Sequence, residues 1–121
     1  MKYNDIIVPD TIKPELIVSA FENKMDWDKV TDFTWEMKEK MLSHDFPPIL
    51  GFPSIVDEND IGKSFLSGNE ITEEHLGMLV WNVTDGHHRA NAAIFSNIPY
   101  ICVELDYSTI TSEKDLKQWT N

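Results

Sequence analysis

The chain has 121 residues, of which 41% are hydrophobic, and this is enough for one folded domain with a modest core. Its formal charge of −11 argues against binding or cutting DNA, because proteins bind nucleic acid mainly through basic groups. No apolar stretch is long enough to span a bilayer and the first residues lack the pattern of a secretory signal, so we expect a cytoplasmic protein without a membrane anchor.

The N-terminal part of the chain predicts two short extended segments. Residues 3 to 8 are predicted to form a first strand, which Pro9 ends. Pro14 begins a second segment, which continues through residues 16 to 18.

The clearest helical pattern follows these segments. A helix is predicted from Asp26 or Asp28 to about His44, with one of these aspartates or Thr31 as its cap. Its apolar positions recur at helical spacing, at Val30, Phe33, Met37 and Met41. One face of this helix is therefore expected to pack on the core.

The middle of the chain predicts strands joined by a long polar segment. A pair of prolines ends the helix and precedes a strand over residues 49 to 56, which contains Pro53. Residues 57 to 70 are rich in acidic and small polar residues and predict an exposed loop or an irregular hairpin. One helical turn over residues 72 to 76 then precedes a strand over residues 78 to 84.

A glycine turn follows this strand. The dipeptide Asp85-Gly86 is typical of hairpins, but a hairpin would require an alternating second strand. Residues 87 to 96 instead have small and apolar residues at helical spacing, at Ala90, Ala93 and Ile94. The pattern therefore predicts a strand, a turn and a helix.

The remaining C-terminal residues predict a strand and a last helix. The strand covers residues 100 to 105, and Cys102 within it is expected to be a buried small hydrophobe. The helix is capped by Thr111 or Ser112. The elements together predict one α+β domain over residues 1 to 121, with a mixed sheet of short strands and two main helices.

The Gly86 turn is the candidate functional site. The first amides of a helix lack partners within it and carry partial positive charge, which favours anions. Gly86 allows a ligand to approach the backbone, and the planar guanidinium of Arg89 suits two phosphate oxygens. The residues therefore predict a phosphate ligand, most simply that of a nucleotide.

This region resembles the ParB/sulfiredoxin superfamily, whose members have a Gly-x-x-Arg phosphate loop between a strand and a helix. The matching segments are Val80-Trp81-Asn82-Val83-Thr84, Asp85-Gly86-His87-His88-Arg89, Asn97-Ile98-Pro99 and Tyr100-Ile101-Cys102-Val103-Glu104-Leu105. A weaker upstream similarity, a helix followed by Pro48-Ile49, extends the resemblance to about residues 28 to 106.

The resemblance implies a nucleoside triphosphate, ATP or CTP, as the ligand and allows Mg²⁺ to accompany it. It leaves the reaction open, because the superfamily includes CTP-binding DNA segregation proteins, ATP-dependent sulfinic acid reductases, a free-serine kinase and proteins described as nucleases. Sulfiredoxin has its reactive cysteine inside this loop. Since His87 occupies the matching position here, sulfiredoxin chemistry is not expected.

Three residues beside Arg89 are candidates for the chemistry. His87 and His88 are candidates to donate to phosphate oxygens or to shuttle protons, because imidazole as a group titrates near neutral pH. The family pattern favours His88 as the one facing the ligand. Asp85 is predicted to cap the helix, with Mg²⁺ binding as the alternative. A metal site formed by these three residues alone is disfavoured, because the histidines lack the i, i+4 spacing.

Other candidates lie further from the turn. Asn91 is placed to reach a phosphate or a base, although Asn91 and Ser96 are both expected on a solvated helix face. Glu15 is a candidate general base, because the serine kinase of the superfamily uses a glutamate from its N-terminal region, and a surface position is the alternative. Trp81 and Tyr100 are expected to pack in the core under the turn.

Two classes of function follow. The first is a nucleotide-binding domain in which Gly86, His87, His88 and Arg89 grip the phosphates, with phosphoryl transfer to a small molecule or nucleotide hydrolysis as the reaction. The second is a noncatalytic protein, of the kind of a phage- or plasmid-encoded modulator, whose acidic surface blocks a basic site on a partner protein. DNA binding or cleavage ranks third, since the sequence lacks a basic stripe.

Overall fold

The computed structural model describes residues 2–20, 25–40 and 47–108 of the chain. Its strands are β1 (Lys2–Tyr3), β2 (Ile6–Ile7), β3 (Thr11–Ile12), β4 (Ile17–Ser19), β5 (Ile49–Ile55), β6 (Leu79–Asp85) and β7 (Ile101–Leu105). The helices are α1 (Trp27–Lys40) and α2 (His87–Ser96), and 3-10 turns cover Pro14–Leu16, Glu58–Asp60 and Glu73–His75. A five-stranded mixed sheet and a two-stranded sheet accompany these helices, which confirms the predicted α+β class.

The strand order of the larger sheet is β3-β7-β5-β6-β4. β5 pairs antiparallel with β6 and parallel with β7, and β4 pairs parallel with β6. Leu50 pairs with Asp85, so the chain that enters β5 lies beside the turn that leaves β6. The sheet thereby brings the segment around residues 47 and 48 next to Gly86.

The predicted strand over residues 3 to 8 is wrong, because this segment is a hairpin. β1 pairs antiparallel with β2, and the turn between them places Asn4 and Asp5 at φ values of 48° and 64°. Asn and Asp tolerate this left-handed conformation better than other residues with a side chain. The sequence pattern also missed β3, and it merged the 3-10 turn at Pro14–Leu16 with β4.

Helix α1 begins where an aspartate caps it, as predicted. The Asp26 carboxylate accepts hydrogen bonds from the backbone N–H groups of Asp28 and Lys29, both at 3.2 Å. Val30 and Met37 are buried against the core, which confirms the predicted inner face. The predicted end of this helix near His44 and the last helix capped by Thr111 or Ser112 lie outside the described residues.

The two helices run in the same direction. The Asp26 backbone N–H donates to His88 Nε2 at 3.1 Å, and eight residues later on both helices Ser96 Oγ lies 3.4 Å from the Thr34 carbonyl. The buried face of α2 carries small residues, which allow the helix to pack closely, and these are Ala90, Ala92 and Ala93. Because the helices are parallel, their N-terminal ends meet at one edge of the molecule.

The main core lies between the helices and the inner face of the sheet. Trp81 is fully buried there, as predicted, whereas Tyr100 is exposed, because it precedes β7 and lies outside the sheet. Cys102 is also exposed, which corrects its predicted burial. The inward positions of β7 are occupied by its odd-numbered residues, Ile101, Val103 and Leu105.

The strand over residues 49 to 56 forms as predicted in spite of its proline. β7 pairs with residues 49 to 51 of β5, and no other strand of the described residues pairs with that side of β5 beyond Gly51. A proline is tolerated at such an edge, because no ladder hydrogen bond is lost there.

A second, smaller cluster covers part of the outer face of the sheet. Its buried residues come from the strands and from the segment after β5, and they are Val56, Phe65, Ile71 and Val80. Residues 57 to 70 are largely exposed, as predicted, but Phe65 anchors them to the sheet. None of the helices in the described part of the chain has the length and apolar character needed to cross a membrane.

Candidate anion site

Gly86 forms the turn between β6 and α2 in a conformation that favours glycine. Its φ is 96°, and a Cβ atom there would lie 3.0 Å from both Arg89 Nη2 and Ile49 Cγ2. Among the residues that the structure describes, no side chain hydrogen-bonds to cap the start of α2, and the cap position is Gly86, so the prediction that Asp85 caps it is wrong. Gly86 itself takes the cap position and leaves the first-turn amides without a capping side chain.

Arg89 lies directly beside this turn. Its Nη1 donates hydrogen bonds to the carbonyl oxygens of Pro47 and Pro48, at 3.0 and 3.3 Å. Among residues 2–20, 25–40 and 47–108, one ion pair is formed, between Lys63 and Asp60. No carboxylate of these residues pairs with Arg89. Two neutral carbonyls thus orient the guanidinium while its positive charge remains uncompensated by the described residues.

His87 is held in the interior by this architecture. It is 3% exposed, and its Nε2 lies 3.1 Å from Ser19 Oγ at the end of β4. Burial lowers the pKa of His87, the Asp85 charge opposes this shift, and His88 adds to it. His87 therefore fixes the start of α2 against the sheet as a neutral imidazole near pH 7, and it does not supply a charge for a phosphate.

The lowered pKa of His87 predicts that the free energy of unfolding depends on pH. Its folded pKa lies below the ordinary value of 6.5, so the unfolded chain binds the proton more strongly. We expect the stabilisation to be complete above pH 6.5 and to be lost as the pH falls below that value, by at most about 1.4 kcal/mol per pH unit for one proton.

Urea denaturation of the wild type and of His87→Gln between pH 7.5 and 5 measures this contribution. The free energy of unfolding should fall more steeply with acid in the wild type, since the glutamine does not titrate. Equal slopes for the two proteins would contradict the assignment.

His88 bridges the starts of the two helices. Because the Asp26 backbone N–H is the donor of their hydrogen bond, His88 Nε2 must be its acceptor, and a neutral ring then carries its proton on Nδ1. His88 is half-buried and adjoins Arg89 in sequence. Its Nδ1–H remains a candidate donor to a ligand, whereas its Nε2 is occupied by α1.

Asn91 and Ser96 are buried, which corrects their expected place on a solvated face. The Asn91 amide donates to the His87 carbonyl at 3.0 Å and lies 3.4 Å from Met25 Sδ, and Ser96 Oγ donates to the Ala92 carbonyl at 2.6 Å. The reason is that α1 packs along this side of α2. Asn91 therefore faces Met25, two residues before α1, and is not placed to reach a ligand at the Gly86 turn.

Glu15 lies at the other end of α2. It is exposed, and it lines a cleft of about 420 Å³ together with Asn97 and Tyr100. Ten helical residues span about 15 Å, so this cleft is remote from Gly86. Gly86, His88 and Arg89 lie at the start of α2 because they are close in sequence, and the structure leaves Glu15 outside this group.

No protein-family model, curated protein or solved structure matches the chain. The resemblance to the ParB/sulfiredoxin superfamily therefore remains a prediction from the residues of the loop. Among the described residues, no group of three or more His, Cys, Asp or Glu side chains is arranged to hold a metal ion.

A buried carboxylate that the sequence pattern did not single out, Asp106, fixes this edge of the sheet. Asp106 accepts hydrogen bonds from Thr84 Oγ1 and, at 2.6 Å, from Ser108 Oγ, and its backbone N–H donates to the Gly51 carbonyl at 2.9 Å. The Asp-x-Ser spacing just after a strand is a recognisable turn signal. These bonds join the ends of β6 and β7 to the start of β5, below the Gly86 turn.

Proposed function

We propose that the chain binds the phosphate groups of a nucleotide at the Gly86 turn, with ATP or CTP as the ligand. The observation that carries this proposal is the Arg89 guanidinium, which lies beside an uncapped helix start and forms no ion pair with a described carboxylate. Backbone amides, the helix dipole and a fixed guanidinium act on the same small volume, and each favours an anion.

Each residue of the turn has a distinct role in this proposal. Gly86 allows close approach of phosphate oxygens to the backbone, and Arg89 binds two of these oxygens. Asp85 is exposed next to Gly86, where a single carboxylate and the phosphate oxygens are a common way of holding Mg²⁺. His87 positions the first turn of α2 through Ser19.

Binding is supported better than catalysis. Phosphoryl transfer or hydrolysis requires a group that takes or orients a proton within hydrogen-bond reach of the phosphate. Glu15 lies at the far end of α2, too far from the turn to act on a phosphate there. His88 is the candidate proton-transfer group beside the turn, but its Nε2 accepts a hydrogen bond from the Asp26 backbone N–H. We therefore propose nucleotide binding first and phosphoryl transfer or hydrolysis second.

Titration with ATP, CTP, GTP and ADP in the presence of Mg²⁺ tests the proposal. We expect heat of binding with at least one triphosphate, together with chemical-shift changes of the backbone amides from Gly86 to Arg89 in NMR spectra. A set of titrations that gives neither heat nor amide shifts with any of these nucleotides would rule the proposal out.

A second candidate function is binding of a basic partner protein in the cytoplasm. It is favoured by the net charge of −11 and by the exposed acidic side chains of α1, which are Asp28, Asp32 and Glu36. Binding of a basic peptide that salt releases would be its signature, because ions screen exposed charges.

A further inference from the structure

Three large aromatic side chains are exposed on the outside of the helices. Trp27 and Phe95 are each 57% exposed, and Trp35 is 64% exposed. The rings of Trp27 and Phe95 meet edge to face, with centroids 6.3 Å apart, so α1 and α2 both contribute to one surface. A cluster of exposed aromatic side chains is typical of protein-protein interfaces, in which Trp, Tyr and Phe are enriched.

An acidic stripe runs beside these rings. Trp27, Thr31 and Trp35 follow one another at four-residue intervals on α1, and an exposed acidic residue comes directly after each of them, at Asp28, Asp32 and Glu36. Residues at this interval lie on one side of a helix, so the two sets form neighbouring stripes.

The local charge along this part of α1 is negative. Lys29 is the basic residue between Trp27 and Met37, and its Nζ lies 5.7 Å from the centroid of the Phe33 ring. It follows Asp28 by one residue, so it lies beyond the acidic stripe on the side away from the aromatic stripe. Between Trp27 and Met37, no basic residue therefore lies on the side of the acidic stripe that faces the rings.

We name this surface, which consists of Trp27, Trp35 and Phe95 with the acidic stripe, the α1 aromatic surface. We propose that the α1 aromatic surface binds a basic amphipathic helix of a partner protein. This inference rests on the second proposed function, for which it names the surface and the form of the partner. Trp27 and Trp35 are eight residues apart on α1, which is about 12 Å along the helix axis, so apolar side chains two turns apart on a partner helix, at i and i+7, match them. Lys or Arg residues on one flank of that helix face the acidic stripe.

A synthetic helix-forming peptide of about 18 residues serves as the probe, with Leu at i, i+3, i+4 and i+7 positions and Lys or Arg along one flank. We expect the wild type to bind it. The combined variant Trp27→Ala, Trp35→Ala and Phe95→Ala should bind at least about tenfold more weakly, because buried aromatic anchors carry much of the energy of such interfaces. The matched control, Ile61→Ala, Leu76→Ala and Met78→Ala, removes exposed apolar groups elsewhere and should bind as the wild type does.

The acidic stripe has its own matched pair of variants. Asp28→Asn, Asp32→Asn and Glu36→Gln together should weaken binding about tenfold at low salt, whereas Glu58→Gln, Glu73→Gln and Glu74→Gln change the net charge equally and should have little effect. Thermal unfolding of every variant shows that it is folded.

The possible outcomes separate the surface from the function. If the wild type does not bind the peptide at any salt concentration, both the second function and this surface are wrong. If the wild type binds but the aromatic variant and its control bind equally well, partner binding stands and the α1 aromatic surface is wrong. The inference would also be overturned if the acidic-stripe variant and its charge-matched control lost the same amount of affinity for the peptide. Equally tight binding of a scrambled peptide of the same composition would overturn it as well.

Discussion

Gly51→Ala is expected to lower the free energy of unfolding by about 3 kcal/mol or more, because overpacking a well-filled core costs roughly 1–3 kcal/mol even where side chains can move aside. The new Cβ would lie 1.9 Å from the Asn82 carbonyl oxygen and 2.8 Å from Trp81 Nε1. Asn82 belongs to the neighbouring strand β6, so its carbonyl cannot move without separating β5 from β6. Urea denaturation measures the loss.

Gly68→Ala is the control for this substitution. Gly68 has a φ of 97°, and no atom of the described residues lies within 4 Å of the added Cβ, so this substitution tests backbone strain without a collision. We expect it to cost about 1 kcal/mol, the usual penalty for a side chain in the left-handed region. If Gly51→Ala is no more destabilising than Gly68→Ala, the close contact between β5 and β6 is not as tight as the structure indicates.

Arg89→Ala is expected to reduce nucleotide affinity by about ten- to hundredfold. A hydrogen bond to a charged group contributes roughly 1.5–3 kcal/mol, and about 1.4 kcal/mol corresponds to a factor of ten in affinity. Calorimetry with the best-binding triphosphate gives the value. The fold should persist, because Arg89 is half-buried and its bonds within the described chain go to the carbonyls of Pro47 and Pro48.

Two further variants distinguish geometry from charge. Arg89→Lys keeps the charge but loses the planar fork, so it should bind with intermediate affinity. Lys63→Ala removes one positive charge from an exposed ion pair with Asp60 and should leave affinity unchanged. Affinity that stays within about twofold of the wild type in Arg89→Ala, or that falls as much in Lys63→Ala, would show that the Gly86 turn is not the phosphate site.

The sequence predicted best what depends on neighbouring residues. Helix α2, its left-handed glycine and the Asp26 cap of α1 follow from local spacing and turn chemistry, which need no knowledge of distant partners. The hairpin at Asn4 and Asp5 was also local, but its two-residue strands were too short to show an alternating pattern.

Side-chain surroundings depended on tertiary packing and could not be read from periodicity. Asn91 and Ser96 are polar residues on a helix, yet both are buried: Ser96 lies against the Thr34 carbonyl of α1, and Asn91 donates to the His87 carbonyl of its own helix. Cys102 alternates with apolar residues whichever face is inward, so the pattern alone could not assign its side of the sheet. The carbonyls that hold Arg89 come from a segment more than forty residues away in sequence.

The bond between Asp26 and His88 ties the first turns of the two helices into one mechanical unit. Trp27 is the first residue of α1, and Gly86 precedes the first residue of α2. A tilt of α1 that keeps this bond must drag the Gly86 turn with it, and a tilt that breaks it leaves an imidazole nitrogen in need of a new donor. A displacement of Trp27 is therefore transmitted to Gly86 through this hydrogen bond.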